Sequence, residues 1–196
     1  MEYATLQAPS GSAVSPQDNQ EALCRALGAD MVLQGVDEIE RYCRDWHGDV
    51  TTGAVAVLRP RSTEEVALAV RTCSALGLSI VPQGGNTGLV LGATPDRPQS
   101  QVVLSLERMT AIRRIDVDDF SAVVEAGCIL SEFKDAVARE GMFFPLALGA
   151  QGSCRIGGNV STNAGGINVL RYGMTRELVL GLEVVLPDGT VFDGLS

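Results

Sequence analysis

The chain has 196 residues, 45% of them apolar and 20% charged, with a formal net charge of −9. That length suits one domain, or one domain with an arm, around a sizeable core. The acidic balance argues against nucleic acid or an anionic membrane as a partner, since both need a cationic face. It leaves room for a phosphate-bearing ligand held by backbone dipoles.

Residues 1–20 read as a flexible leader, rich in Pro, Ser, Gly, Gln and Asn between 8 and 20. Its first residues lack the basic and apolar regions of a secretory signal. The first arginine is Arg25, which counts against a mitochondrial transit peptide, and no apolar run approaches the ~20 residues that span a bilayer. A cytoplasmic address is the expectation.

Residues 21–52 form an N-terminal helical arm, with a helix over 21–27 stopped by Gly28 and a second over 36–43. Tyr42 and Trp46 serve there as packing anchors. From residue 53 the pattern changes to strands and helices. Residues 54–58 make an apolar strand, and Ser62 and Glu65 have the capping-box spacing for a helix that Gly77 ends. Residues 78–81 form a buried strand and 102–106 another.

The second half reads as a hairpin over 111–117 and 121–126, turning at Asp118-Asp119, then a helix over 131–139 with Ser131 as N-cap. Residues 180–186 and 190–192 flank Pro187-Asp188-Gly189 as a second hairpin. Residues 53–196 thus suggest one mixed α+β domain in two halves, about 53–110 and 111–196. Asp116, Asp118 and Asp119 read as a solvated turn. The five cysteines are dispersed and lack C-x-x-C spacing, so free thiols are expected, and His47, the sole histidine, has no metal-binding company.

Ten of the 22 glycines fall in residues 84–92 and 149–166, one stretch in each half. Such clustering costs backbone entropy and calls for left-handed backbone or close approach to the main chain. Asn86, Thr87, Ser153, Asn159, Thr162 and Asn163 add neutral hydrogen-bonding groups. Arg155 is the one cation in the second stretch and the first has none; it suits a phosphate contact and a surface position equally. Neither stretch fits G-x-G-x-x-G in register or the G-x-x-x-x-G-K-[ST] P-loop. An extended anionic ligand held chiefly by N–H groups fits both.

Pro82-Gln-Gly-Gly-Asn-Thr-Gly88 followed by Gly149-Ala-Gln-Gly-Ser-Cys-Arg-Ile-Gly-Gly-Asn-Val-Ser-Thr-Asn-Ala-Gly-Gly166 resembles the PCMH-type FAD-binding domain of the vanillyl-alcohol-oxidase superfamily. Arg171-Tyr-Gly173 and 181–190 extend the likeness, which covers roughly 41–196 and is similar to the D-2-hydroxyglutarate and D-lactate dehydrogenase branch. The resemblance implies FAD held between two α+β subdomains. Pro82, Gln83, Gly84, Gly85, Asn86, Thr87 and Gly88 would wrap the pyrophosphate. Gly149, Ser153, Ile156, Gly157, Gly158, Asn159, Thr162, Asn163, Ala164 and Gly166 would follow the ribityl–pyrophosphate chain toward the isoalloxazine, with Val185 on the adenine side. Covalently flavinylated members often place His after the paired glycines; Asn86 stands there, so non-covalent FAD is expected.

The branch continues past the last hairpin into a segment that closes over the flavin and a substrate domain. The resemblance therefore implies a C-terminally incomplete FAD domain with no catalytic residue of its own, whose 2-hydroxy-acid substrate belongs to the complete protein. Open faces of such a unit would be covered by a homodimer or partner subunit. Two alternatives stay open: a stand-alone flavin-binding subunit, and a nucleotide-binding module without redox chemistry.

Overall fold

The computed structural model describes residues 15–195. The expected leader lies outside these up to residue 14, but residues 16–20 are helical. Ser15 caps helix α1 (Pro16–Leu27), accepting from Asp18 N at 3.1 Å while the Asp18 carboxylate accepts from Ser15 N. Pro at the first helical position completes a start signal in the very residues whose Pro and Ser suggest slack chain.

Strand β1 (Val32–Leu33) and a short helix α2 (Val36–Ile39), extended by a 3-10 turn over Glu40–Tyr42, complete the arm. Strand β2 (Val57–Leu58) is shorter than the expected 54–58, although Val55 N still donates to Gln101 O at 2.8 Å. Helix α3 (Thr63–Ala75) starts at Ser62, whose hydroxyl accepts from Glu65 N. Only half of the expected box forms, because the Glu65 carboxylate takes Arg61 N instead. Strands β3 (Ser79–Gln83) and β4 (Gln101–Ser105) come next.

These four strands form one sheet in the order β1-β2-β4-β3, with β2 and β3 parallel to β4 and β1 antiparallel at the edge. Both faces are covered, as parallel sheets require. Ala56, Leu58, Val102 and Leu104 point to one core, packed by Leu23 of α1 and by Val66, Ala69 and Cys73 of α3. Val57 and Val103 point to the other, closed by Ile39, Tyr42 and Cys43 of the arm. This two-residue alternation places the arm against the sheet.

Hairpin β5 (Ile112–Asp116) and β6 (Ser121–Val124) packs with helix α4 (Leu130–Arg139) around Cys128, Phe133 and Val137. The rings of Phe133 and Phe144 meet edge to face with centroids 4.8 Å apart. The expected Ser131 cap is not made. Instead Leu130 N and Ser131 N donate to Cys154 O (3.1 Å) and Gln151 O (3.0 Å), so carbonyls of the second glycine stretch satisfy the helix start.

That stretch is not loop throughout. It contains helix α5 (Ile156–Ser161) and leads to α6 (Val169–Tyr172) and a 3-10 turn, Thr175–Leu178. Hairpin β7 (Glu183–Val185) and β8 (Val191–Asp193) turns through Gly189, where Arg71 of α3 donates to the carbonyl at 3.0 Å. Thr63 of α3 also donates to the Glu183 carboxylate. Ile167 (86% exposed), Leu170, Leu180 and Phe192 (58%) leave this end of the described chain apolar at its surface.

All five cysteines are free. Cys43, Cys73, Cys128 and Cys154 are buried, and burial pushes the Cys73 thiol up to about 12. In the native protein at pH 8 a thiol reagent is expected to label half-buried Cys24 first, with the other four reacting only on unfolding. For the core, Leu58→Ala is expected to lose about 2–5 kcal/mol of stability in urea unfolding. Leu68→Ala, on the exposed side of α3, should lose less than about 1 kcal/mol.

Candidate functional site

The chain leaves the sheet at Gln83 and enters the first glycine stretch. Gln83 is buried, and its amide donates to Tyr42 O at 2.9 Å and Ala93 O at 2.8 Å, fixing both ends of the loop between Gln83 and Ala93. At Gly85 the backbone presses on the second stretch: a Cβ there would lie 2.0 Å from Ser153 O and 3.1 Å from Cys154 Cα. A Cβ at Gly84 would lie 3.3 Å from Cβ of Arg155. No side chain at Gly85 fits between the two segments.

Two more close approaches set the second stretch in place. A Cβ at Gly127 would meet Leu106 O at 1.9 Å, and one at Gly157 would meet Ala126 Cβ at 2.6 Å. Gly127 N donates to Met109 O, Gly157 N to Ala126 O and Ile156 N to Cys128 O, all within 2.8–2.9 Å. The second stretch is bolted to its own hairpin and then to the first loop.

Other glycines behave differently. Gly88, Gly92, Gly149, Gly152 and Gly158 are not left-handed, and a Cβ on any of them would meet nothing within 4 Å. Neither turn geometry nor internal packing explains them. Gly149 and Gly152, with Trp46, Thr87, Leu89, Ala150 and Ser153, line a cleft of about 460 Å³. Gly158 N finds no acceptor among the described residues. A cleft whose walls have been stripped of side chains suits a ligand that lies against main chain, and the residues present fit a dinucleotide.

Arg155 runs beside this backbone. Its guanidinium donates to Gly127 O at 2.6 Å, while Nε is buried without a partner. It forms no ion pair among the described residues. It is therefore neither a plain surface residue nor a neutralised one.

The third wall comes from the arm. Residues 43–52 form a tight loop in which Asp45 N donates to Val50 O and the Asp45 carboxylate accepts from Val50 N at 2.8 Å and His47 N at 3.3 Å. The Val50 bond, with those of His47 and Gly48, holds this carboxyl below its usual 3.8. Its contribution to loop order is thus present above 3.8 and lost as pH falls through the lowered value. Asn86, left-handed with φ 51°, donates its amide to Arg44 O at 2.7 Å and ties the first glycine stretch to this loop.

Of the residues expected to contact a cofactor, Thr87, Gly149 and Ser153 line the cleft, and Gly88 and Gly158 face open space. Gly84 and Gly85 form the contact between stretches. Pro82 is exposed on the edge strand. Several others have side chains or carbonyls engaged within the protein. Ile156 packs with Phe144 into the core, and Asn159 is buried, donating to Cys154 Sγ. Thr162 Oγ1 bonds back to Gly158 O. Asn163 Oδ1 accepts from Arg176 N, and Ala164 O accepts from Thr175. Gly166 is left-handed, tight against Ala147 O, and Val185 packs on the main core. Trp46, Leu89, Ala150 and Gly152 are not singled out as contacts by the sequence motifs, yet they line the cleft. Ala150 and Gly152 lie within the second quoted motif and Leu89 directly follows the first; for Trp46 nothing in the sequence links residue 46 to residues 149–153.

An α+β unit with paired glycine stretches around such a cleft defines a flavin-binding domain of the PCMH type. The chain belongs to the family described as "FAD binding domain", which matches residues 54–194, and its cofactor is FAD. The mitochondrial D-2-hydroxyglutarate dehydrogenase of Bos taurus is 44% identical over 185 residues, 93% of this chain and 33% of that protein. That of Arabidopsis thaliana is 41% identical over 170 residues, 87% of this chain and 30% of that protein. An alkyldihydroxyacetonephosphate synthase structure superposes with a TM-score of 0.79 at 18% identity, over 90% of this chain and 34% of the other, a likeness of fold alone. The chain spans about a third of the length of the curated relatives it matches. The cytoplasmic address expected above does not stand, because these relatives are mitochondrial by name. An address is read from a short targeting segment and is not encoded in the fold. No helix among the described residues is long and apolar enough to cross a membrane.

Gly85→Ala is expected to lower the melting temperature, by an amount equivalent to about 1–3 kcal/mol of overpacking. Gly88→Ala should leave the melting temperature of the free protein nearly unchanged while weakening FAD binding. Equal effects on both readouts would remove the distinction between packing glycines and ligand-facing ones.

Proposed function

We propose that this chain is the FAD-binding part of an oxidoreductase that converts a D-2-hydroxy acid, of the 2-hydroxyglutarate or lactate type, to the 2-oxo acid. The observation that carries this reading is the 44% identity to a D-2-hydroxyglutarate dehydrogenase across 93% of the chain. Gly84–Gly88, Gly149–Ser153 and Gly158 would hold FAD non-covalently, through bare backbone and the N–H groups left free; Gln151 N and Ser153 N are already engaged by Leu148 O and Ala150 O. Non-covalent attachment is supported by Asn86, which is no nucleophile and whose amide is already engaged by Arg44 O.

When bound, the flavin supplies the two-electron acceptor that no side chain can provide. This chain's own residues hold the cofactor and keep one face of it from water. The cleft walls carry no titratable side chain, so acid–base work on a hydroxy acid falls to other groups. The division near residue 110, between the four-stranded sheet and the hairpins, is the division into two subdomains. The apolar surface over 167–195 supports burial against further polypeptide, a second copy or a partner subunit.

Titration with FAD is expected to shift the flavin visible spectrum and raise the melting temperature, by about 2.7 kcal/mol of stabilisation at a hundredfold excess over Kd. Acid or heat should release the flavin intact. In the complete oxidoreductase of which this chain is proposed to be the FAD-binding part, anaerobic D-2-hydroxyglutarate, and not its L enantiomer, should bleach the flavin absorbance. FAD binding in that complete protein with no bleaching by any D-2-hydroxy acid would overturn the substrate class and leave the cofactor.

A further inference from the structure

Trp46 is 51% exposed at the edge of the cleft, where an ordinary packing anchor would be covered. Its exposure does not come from slack chain. Three backbone bonds, Asp45 N to Val50 O, Gly48 N to Asp45 O and Thr52 N to Cys43 O, close the loop that carries it. Thr52 Oγ1 donates to Pro95 O at 2.6 Å, and Asn86 holds Arg44 O from the other side. Five separate bonds therefore hold a large aromatic side chain at a mouth shared with both glycine stretches.

The rest of the cleft explains what such a ring could meet. Leu89 and Ala150 are apolar, Gly149 and Gly152 present bare backbone, and no lining residue is charged. A diphosphate alone has no use for an indole face, whereas a planar heteroaromatic ring does. Tryptophan offers a large, rigid apolar face for such stacking.

We propose that Trp46 is a stacking wall of the cofactor site, its indole lying against a ring system of the bound dinucleotide. The arm loop, 43–52, is then the third element of the cradle, and Asn86 acts as a positioning residue that sets the loop's height above the glycines. This inference rests on the FAD reading. It assigns a binding role to a part of the chain that lies outside both glycine motifs and outside the matched family region, 54–194.

The deciding experiment is the affinity for FAD, measured by calorimetry, of the wild type, Trp46→Ala and Trp46→Phe. Removal of the ring is expected to weaken binding roughly 5- to 150-fold, the range for losing one stacked base. Trp46→Phe should restore most of it, and the melting temperature of all three free proteins should coincide. Trp46 is the only tryptophan, so quenching of its emission by FMN or by ADP identifies whether the isoalloxazine or the adenine is the stacked ring. Equal FAD affinity in all three proteins overturns the proposal while the FAD reading stands. So does a loss that Trp46→Phe does not restore. If the wild type itself neither binds FAD nor is stabilised by it, the FAD reading falls and this inference with it.

Discussion

The contact between Gly85 and the carbonyl of Ser153 is the constraint on which the rest of the site depends. It joins two backbones separated by 68 positions at a distance that no other residue type permits. Because Ser153 and Cys154 also supply the turn whose carbonyls start α4, the same segment faces two ways. Its Cys154 and Gln151 carbonyls hold a helix of the second half, and its Ser153 carbonyl receives the loop that ends the first. Movement of either stretch would disturb both. Backbone-to-backbone fit of this kind is stiff, since no rotamer can absorb a misplacement, and a ligand held by N–H groups needs that stiffness.

The hydrophobic core explains why the contact forms where it does. Parallel pairing of β3 with β4 brings Gln83 opposite Ser105, at the end of the sheet from which the first stretch departs. The arm reaches the same end because Tyr42 and Cys43 cover the Val57–Val103 face. Polar groups then finish what packing begins. Glu107 accepts from Arg41 at 3.1 Å, lies 3.6 Å from Arg59, and takes the Tyr42 hydroxyl. Burial, reinforced by that hydrogen bond to Glu107, raises the Tyr42 phenol above its ordinary value, so it remains a neutral donor. Sheet, arm and loop thus meet at one corner, and the cleft opens beside it.

Much of this is legible in order and type. The strand–helix–strand unit around α3, both hairpins and the stops at Gly28 and Gly77 come from local pattern. The glycine motifs mark the family. What local pattern does not supply is which way each residue faces. Gly85 and Gly88 look alike in sequence, yet one is packed and the other open, a difference set by a partner at residue 153. Ser131 looks like an N-cap and is not, because distant carbonyls serve its helix. Nor does local pattern show that Asn163 Oδ1 and Ala164 O brace the 175–176 segment. Hydrophobicity alone predicts a buried anchor at Trp46; its exposure comes from the loop that Asp45 closes. A leader reaching residue 20 is too long, because Pro16 and Ser15 act as the first residues of a capped helix and not as breakers.

Charge completes the account of how an acidic chain holds an anionic cofactor. A net charge of −9 would repel a diphosphate if it were spread evenly to the binding surface. The cleft, however, is lined by Trp46, Thr87, Leu89, Gly149, Ala150, Gly152 and Ser153, with no carboxylate among them. Asp45 is spent on its own loop, Glu107 on Arg41 and Arg59, and Glu125 on Arg113. Arg155, by contrast, lies beside Gly84 and forms no ion pair among the described residues. Local neutrality, with Arg155 beside Gly84, therefore sets the field near the cleft, and distant surface charge is screened by salt over about 10 Å. The absence of lysine and arginine from the first stretch is then no obstacle to binding an anion: a long side chain at those positions would fill the space the cofactor needs.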